Sequence, residues 1–191
     1  MIPRLAVASK NPDKVREVEE VLASTGLVSE IVRGLDWPDV EETGETLEEN
    51  ALLKARAVTE ATGLPALADD TGLEVDALQG RPGVHSSRFA GLEATYDENV
   101  ALLLEVMAGV GDRSARFRTV VALVFPDGVE VTAEGVVEGS IIEESRGNSG
   151  FGYDPVFEVD GRTLGEMTLE EKSSLSHRAR AIRALAELLG A

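Results

Sequence analysis

Along this chain the spacing of apolar residues switches repeatedly between the period of a strand and that of a helix, and each switch marks an element. Arg4 to Ala8 predicts a first strand. Val15, Val18, Val21 and Leu22 then share one face of a helix, with Asn11 suited to its N-cap and Pro12 to its first position. Val28 to Val32 predicts a second strand, followed by an acidic loop, Val40 to Glu45. Thr46 to Glu49 reads as a capping box opening a helix to about Thr62. Leu47, Ala51, Ala55 and Val58 form its apolar stripe, and Asn50 and Lys54, four apart, share another face.

Leu64 to Ala68 predicts a short buried strand ending in Asp69-Asp70, with Gly72 at a bend and a further strand from Leu73 to Leu78. Thr95 to Met107 is an amphipathic helix with Val100, Leu103, Leu104 and Met107 on its apolar side. Ala115 to Phe125 and Val129 to Ile142 predict a long antiparallel hairpin around Pro126-Asp127-Gly128. Thr168 to Glu171 is another capping box. Ser176 caps a last helix running to Gly190, with Ile182, Leu185, Ala186 and Leu189 buried. No repeat, low-complexity tract or linker interrupts the pattern, so residues 1–191 read as a single domain.

Composition narrows the classes. With 191 residues, 43% hydrophobic and 28% charged, the chain has volume for one sizeable core that can divide into two lobes. No stretch approaches the roughly 18 consecutive apolar residues of a membrane span, and Met1-Ile2-Pro3-Arg4-Leu5 lacks the pattern of a secretory signal. The absence of cysteine rules out disulfides and thiolate metal sites and agrees with a cytoplasmic location. A formal net charge of −17 argues against a general nucleic-acid binder. A polyphosphate ligand would need local cations or a metal to overcome that charge. Lysine is scarce, and Lys10, Lys14, Lys54 and Lys172 each fall beside a candidate site.

Four stretches carry candidate chemistry. Ser9-Lys10-Asn11-Pro12-Asp13-Lys14 joins a strand to a helix N-terminus, where amides and two lysines can receive an anion; two plain surface lysines are the simpler reading. Asp69 and Asp70 are adjacent on a strand, so they face opposite ways, and two neighbouring carboxylates need a cation or donors nearby. An acidic turn capped by Asp70 is the simpler reading. Arg146 to Pro155 interleaves glycines with Phe151 and Tyr153, and can bring a flat ring and close backbone to a base. His177 and Arg178 fall in a helix's first turn, where positive charge is disfavoured; a local rule broken in this way often marks a site.

Taken in order, these stretches resemble the motifs of the non-canonical purine nucleoside triphosphate pyrophosphatases, the inosine triphosphatase or HAM1-like family. The resemblance is carried by Ser9 to Lys14, by Glu41-Glu42-Thr43-Gly44 with Glu49-Asn50 and Lys54-Ala55, and by Ala68-Asp69-Asp70-Thr71-Gly72-Leu73 with Pro82-Gly83 through Ser86. Gly150 to Pro155, Glu171-Lys172-Ser173 and Ser176-His177-Arg178 complete it. It departs at Lys10, where the family usually has glycine, and at His85, where an aromatic or aliphatic residue is usual.

The resemblance implies an elongated, two-lobed α/β fold on a long central mixed β-sheet flanked by helices, with the active-site cleft between the lobes and usually a homodimer. It also implies Mg²⁺-dependent hydrolysis of ITP, dITP and XTP to the monophosphate and pyrophosphate, which cleanses the nucleotide pool. Carboxylates without cysteine or paired histidines suit such a hard cation. On this reading Glu41 and Asp70 hold the metal, and Asp70 accepts the proton of the attacking water, with Asp69 the alternative base. Ser9, Lys10, Asn11, Pro12, Asp13, Lys14, Lys54 and Thr71 bind the triphosphate end. Phe151, with Gly152 and Tyr153, stacks on the base, while Asp154, Lys172, His177 and Arg178 read its edge. Two other readings remain: a septum-inhibitor (Maf-like) pyrophosphatase, which the Ser176-His177-Arg178 ending disfavours, and a purine-nucleotide sensor without turnover, which the full carboxylate set disfavours.

Overall fold

A computed structural model describes residues 1–191 and gives a mixed α/β protein. In chain order the elements are β1 (Ile2–Val7), α1 (Pro12–Thr25), β2 (Val28–Val32), α2 (Leu47–Thr62), β3 (Ala66–Val75), β4 (Pro82–Gly83) and α3 (Tyr96–Val106). There follow β5 (Ser114–Val124), β6 (Glu130–Ile141), β7 (Phe157–Val159), β8 (Arg162–Thr163), α4 (Leu169–Leu175) and α5 (His177–Leu188). One mixed sheet runs in the order β2-β1-β3-β5-β6-β7-β8, with β4 added to β3. β1 lies parallel to both β2 and β3, since α1 and α2 provide the crossovers, whereas β6, β7 and β8 are antiparallel neighbours. The β5–β6 hairpin closes where Phe125 N–H donates to Val129 O, as the Pro-Asp-Gly turn predicts.

Local signals set the helix ends. The Asn11 side chain accepts from the Asp13 and Lys14 amides, and Pro12 is the first residue of α1. Thr46 and Glu49 form a reciprocal capping box on α2. Thr168 and Glu171 do the same before α4, and Ser176 caps α5 through Ala179 N–H.

The structure corrects one expectation. β3 is a single strand that runs through the acid pair, and Asp76–Leu78 is a turn of 3₁₀ helix. Gly72 makes no bend. β4 pairs with β3 at Leu73 and Glu74, and a Cβ on Gly72 would lie 2.8 Å from Gly83 O. The glycine is required for that close approach.

By its contacts the chain forms two compact units. The first is Met1–Asp70, Thr119–Gly135 and Ser176–Ala191; the second is Thr71–Arg118 and Val136–Leu175. Each has a core of its own. In the first, α1 and α5 pack on β1 and β5 through Val18, Val21, Leu22, Ile182, Leu185, Leu5 and Val121. In the second, Leu73, Leu103, Met107, Phe117, Ile141, Phe157 and Leu164 come together. Side chains of this kind contribute about 1.5–3 kcal/mol each when fully buried.

Candidate active site

Asp69 and Asp70 are both buried on β3, 3% and 6% exposed, and their partners are different groups, as the alternation of a strand requires. Asp69 Oδ2 accepts from Arg178 Nε at 3.2 Å and Nη2 at 3.0 Å, and Lys14 Nζ lies 3.5 Å away. The third edge of the Arg178 guanidinium donates to Glu17 of α1. Burial by itself would raise the Asp69 pKa, but Lys14, Arg178 and Lys54 outweigh it and hold the carboxyl well below the usual carboxylate range. Burial disfavours the charge on Arg178, and Asp69 and Glu17 more than restore it, so the pKa is raised. Asp69 is therefore a permanent anion and a poor proton acceptor.

Asp70 has a different setting. Oδ1 lies 3.1 Å from Lys54 Nζ, and Oδ2 accepts from Asn50 Nδ2 at 3.3 Å. Lys54 and Asn50 stand four residues apart on α2, so one helix face delivers both. Asn50 Oδ1 also accepts from Gly44 N–H at 2.8 Å, which fixes the amide and ties down the acidic loop. Lys54 reaches Glu42 at 2.7 Å. Burial raises the Asp70 pKa, Lys54 opposes the rise and Glu42 adds to it; the net direction is upward. Of the pair, Asp70 is the carboxylate whose proton affinity is raised.

The other predicted residues fall as follows. Ser9 Oγ accepts from Asn11 N–H, the Asp13 and Lys14 amides go to Asn11 Oδ1, and Pro12 has no N–H. The first-turn amides of α1 are thus occupied by the cap, and the cations of this loop are Lys14, beside Asp69, and Lys10, paired with exposed Asp39 at 2.5 Å. Thr71 follows Asp70 on β3 and is half-buried. Glu41 is exposed, and it is Glu42, half-buried, that joins Lys54 and Asp70.

Residues grouped in the sequence as readers of the base divide between the two units. His177 and Arg178 belong to the first, where His177 Nδ1 lies 2.6 Å from Thr119 Oγ1 and Arg178 serves Asp69 and Glu17. Phe151, Gly152, Tyr153, Asp154 and Lys172 belong to the second. There Asp154 Oδ2 accepts from Phe151 N–H at 2.9 Å and from Lys172 Nζ at 2.8 Å, with both charged groups buried. Lys172 Nζ stands 5.4 Å over the Phe151 ring. A Cβ on Gly150, at φ 77°, would meet Asp154 Oδ2 at 2.0 Å, so glycine is needed for the loop to close on the carboxylate. Tyr153 donates to Ser86 O at 2.9 Å, and burial raises its pKa.

Sequence reasoning did not single out Glu17, Glu42 as distinct from Glu41, Asn50 as a contact of Asp70, or Thr119. Glu17 did leave a signal: it lies one turn before Val21 on the buried side of α1, where an unpaired acid would be costly.

Asp70 and Glu42 carry the kind of oxygen ligand that a magnesium ion takes. The ligand atoms that Asp70 and Glu42 offer are carboxylate oxygens, one group buried and one half-buried, and both face the Lys54 ammonium, at 3.1 and 2.7 Å. No three Asp, Glu, His or Cys side chains gather as a cage. Mg²⁺ commonly makes do with one or two carboxylates, waters and substrate phosphates.

Residues 5–188 match the Ham1 family profile. The chain belongs to the Ham1 family. It is 52% identical to a dITP/XTP pyrophosphatase of Symbiobacterium thermophilum, over 98% of this chain and 95% of that protein. It is 50% identical to a dITP/XTP pyrophosphatase of Deinococcus radiodurans, over 100% and 94%. Among solved structures, a Ham1 family protein from Coxiella burnetii superposes with a TM-score of 0.86 at 42% identity, covering 99% of both chains. The Ham1 protein of Staphylococcus aureus superposes at 0.84 and 36% identity, covering 98% of both.

Proposed function

We propose that this Ham1 family chain is a nucleoside triphosphate pyrophosphatase that hydrolyses dITP, XTP and ITP to the monophosphate and pyrophosphate. One observation carries the mechanism: Asp70, buried with its proton affinity raised, is hydrogen-bonded by Asn50 and ion-paired with Lys54. Asp70 accepts a proton from the water that attacks the α-phosphorus, and pyrophosphate departs. General-base action of this kind is worth about 10²–10⁴-fold. Lys54 and Lys14 hold the triphosphate oxygens, and Lys10 adds a cation if it exchanges Asp39 for phosphate. Arg178, balanced by Glu17, keeps Asp69 ionised, so the proton goes to Asp70. Asp70 with Glu42 or Glu41 would hold Mg²⁺. A bound Mg²⁺ supplies positive charge that offsets the charge of the triphosphate oxygens.

For the base, Phe151 offers a ring to stack on, and Lys172, a donor without acceptor capacity, suits the C6 oxygen of hypoxanthine and xanthine rather than the amino group of adenine. A site built on such a hydrogen bond can reject an analogue that lacks the partner by roughly 10⁴-fold or more. Residues 1–191 work as one functional domain, and the protein acts in the cytoplasm as a homodimer.

The test is pyrophosphate release from dITP, XTP, ITP, ATP and GTP with and without Mg²⁺. Release from the first three in preference to ATP, dependent on Mg²⁺, is expected. Binding of ITP without release would make the chain a sensor, and equal turnover of ATP would remove the assigned base selectivity.

A further inference from the structure

Aromatic side chains are few in this chain, five Phe, two Tyr and one Trp. Tyr96 is the one aromatic among its exposed large apolar side chains, at 42% exposure. Its ring centroid lies 5.9 Å from that of Phe151, with the planes tilted by 39°. Both ends of this contact are held firmly. Tyr96 is the first residue of α3, within the Thr95–Glu98 capping box. One turn on, the Asn99 side chain accepts from Ala90 N–H and donates to Ser87 O, which anchors the helix end. Phe151 is held through its N–H on Asp154, with Lys172 over its ring. Tyr96 and Phe151 thus form a pair of adjacent aromatic rings, the first of them exposed, a surface on which a purine can rest.

We infer that Tyr96 is a base-binding residue that extends the Phe151 surface, so that the purine rests its face on one ring and an edge on the other. This rests on Phe151 being the stacking residue. A tyrosine that merely covers Phe151 would act only through it, so Tyr96→Ala would weaken the monophosphate no further once Phe151 is alanine, whereas a ring that touches the purine still costs affinity there. Tyr96 is also exposed, so replacing it spares the core.

The experiment uses the full chain with Tyr96→Ala, Tyr96→Phe, Phe151→Ala and the two alanine changes combined, and steady-state pyrophosphate release from dITP and XTP. Inhibition constants are measured for the nucleoside monophosphate product, which carries the base, and for pyrophosphate, which does not. Tyr96→Ala should raise KM and the monophosphate constant about fivefold or more, the lower range for loss of a base-stacking ring. kcat and the pyrophosphate constant should stay within about twofold, and Tyr96→Phe should behave as the parent. If Phe151→Ala weakens the monophosphate and Tyr96→Ala does not, the inference falls and the base site stands. If Phe151→Ala has no effect, both fall. Equal weakening of the two products by Tyr96→Ala, or failure of phenylalanine to restore binding, also overturns the role of Tyr96.

Discussion

Replacing Arg178 by methionine keeps an apolar stem and removes a guanidinium that is 1% exposed. The parent geometry gives that group two donor contacts to Asp69, at 3.0 and 3.2 Å, and one to Glu17. In the variant two buried carboxylates lose this shared partner, and Lys14, at 3.5 Å, and Lys54 are the cations left to act on Asp69. Removing one partner of a buried charge network costs about 3–5 kcal/mol, a large part of the about 5–15 kcal/mol that holds a domain folded.

With a urea slope near the top of about 1–3 kcal/mol per M, the midpoint should fall by about 1–2 M. Trp37, the single tryptophan, belongs to the same unit and reports its unfolding by fluorescence. The pH dependence carries a sign. In the parent, Asp69 has a folded pKa below its unfolded value, so its contribution is present above about pH 4 and is lost as pH falls below that. In the variant Asp69 loses the Arg178 guanidinium and its folded pKa rises from the parent's. The deficit should then be largest at neutral pH and shrink as pH falls toward about 4. Adding Asp69→Asn and Glu17→Gln to Arg178→Met should recover more than half of the loss. A midpoint within about 0.5 M of the parent at neutral pH would refute the view that this triad is an energetically coupled, buried network.

Other outcomes follow from the same geometry. Asp70→Asn should keep the melting temperature within a few degrees and ITP binding near the parent's, while kcat falls by about 10²–10⁴; turnover within a few-fold of the parent would remove Asp70 as the base. The parent's kcat/KM should decline as pH falls through the raised Asp70 pKa, above the ordinary value of about 4. Glu42→Gln removes one of the groups that raise it, so the acid limb should move to lower pH; a shift to higher pH would contradict the assignment. For the dimer, sedimentation at micromolar protein should give about twice the chain mass of 20.3 kDa, and a single species at that mass would exclude it.

The elements of this chain were legible in its sequence because their signals are local. Asn11, Thr46, Thr168 and Ser176 each cap a helix within three residues of themselves, and the apolar stripes of α1 and α5 follow from the 3.6-residue period alone. Asp70, Lys54 and Lys172 could be picked out because a carboxylate pair and scarce lysines stand out in the pattern, and the adjacency of Asp69 and Asp70 already required them to face apart.

What each faces was decided by tertiary structure. Arg178 and Glu17 are separated by 161 positions, Arg178 and Asp69 by 109, and no local rule links residues so far apart. The choice of Glu42 over Glu41 depends on which side of an irregular loop meets Lys54, and Asn50 fixes that by holding Gly44. β3 runs unbroken through Asp69-Asp70-Thr71-Gly72, where the sequence reads a turn, because it pairs with β1 at Ala66 and Leu67 and with β4 at Leu73 and Glu74, partners that local propensity cannot register. The two carboxylates differ in character for the same reason. Asp69 and Asp70 are identical in sequence terms, and only the cations and acids that folding brings to each push one down and the other up.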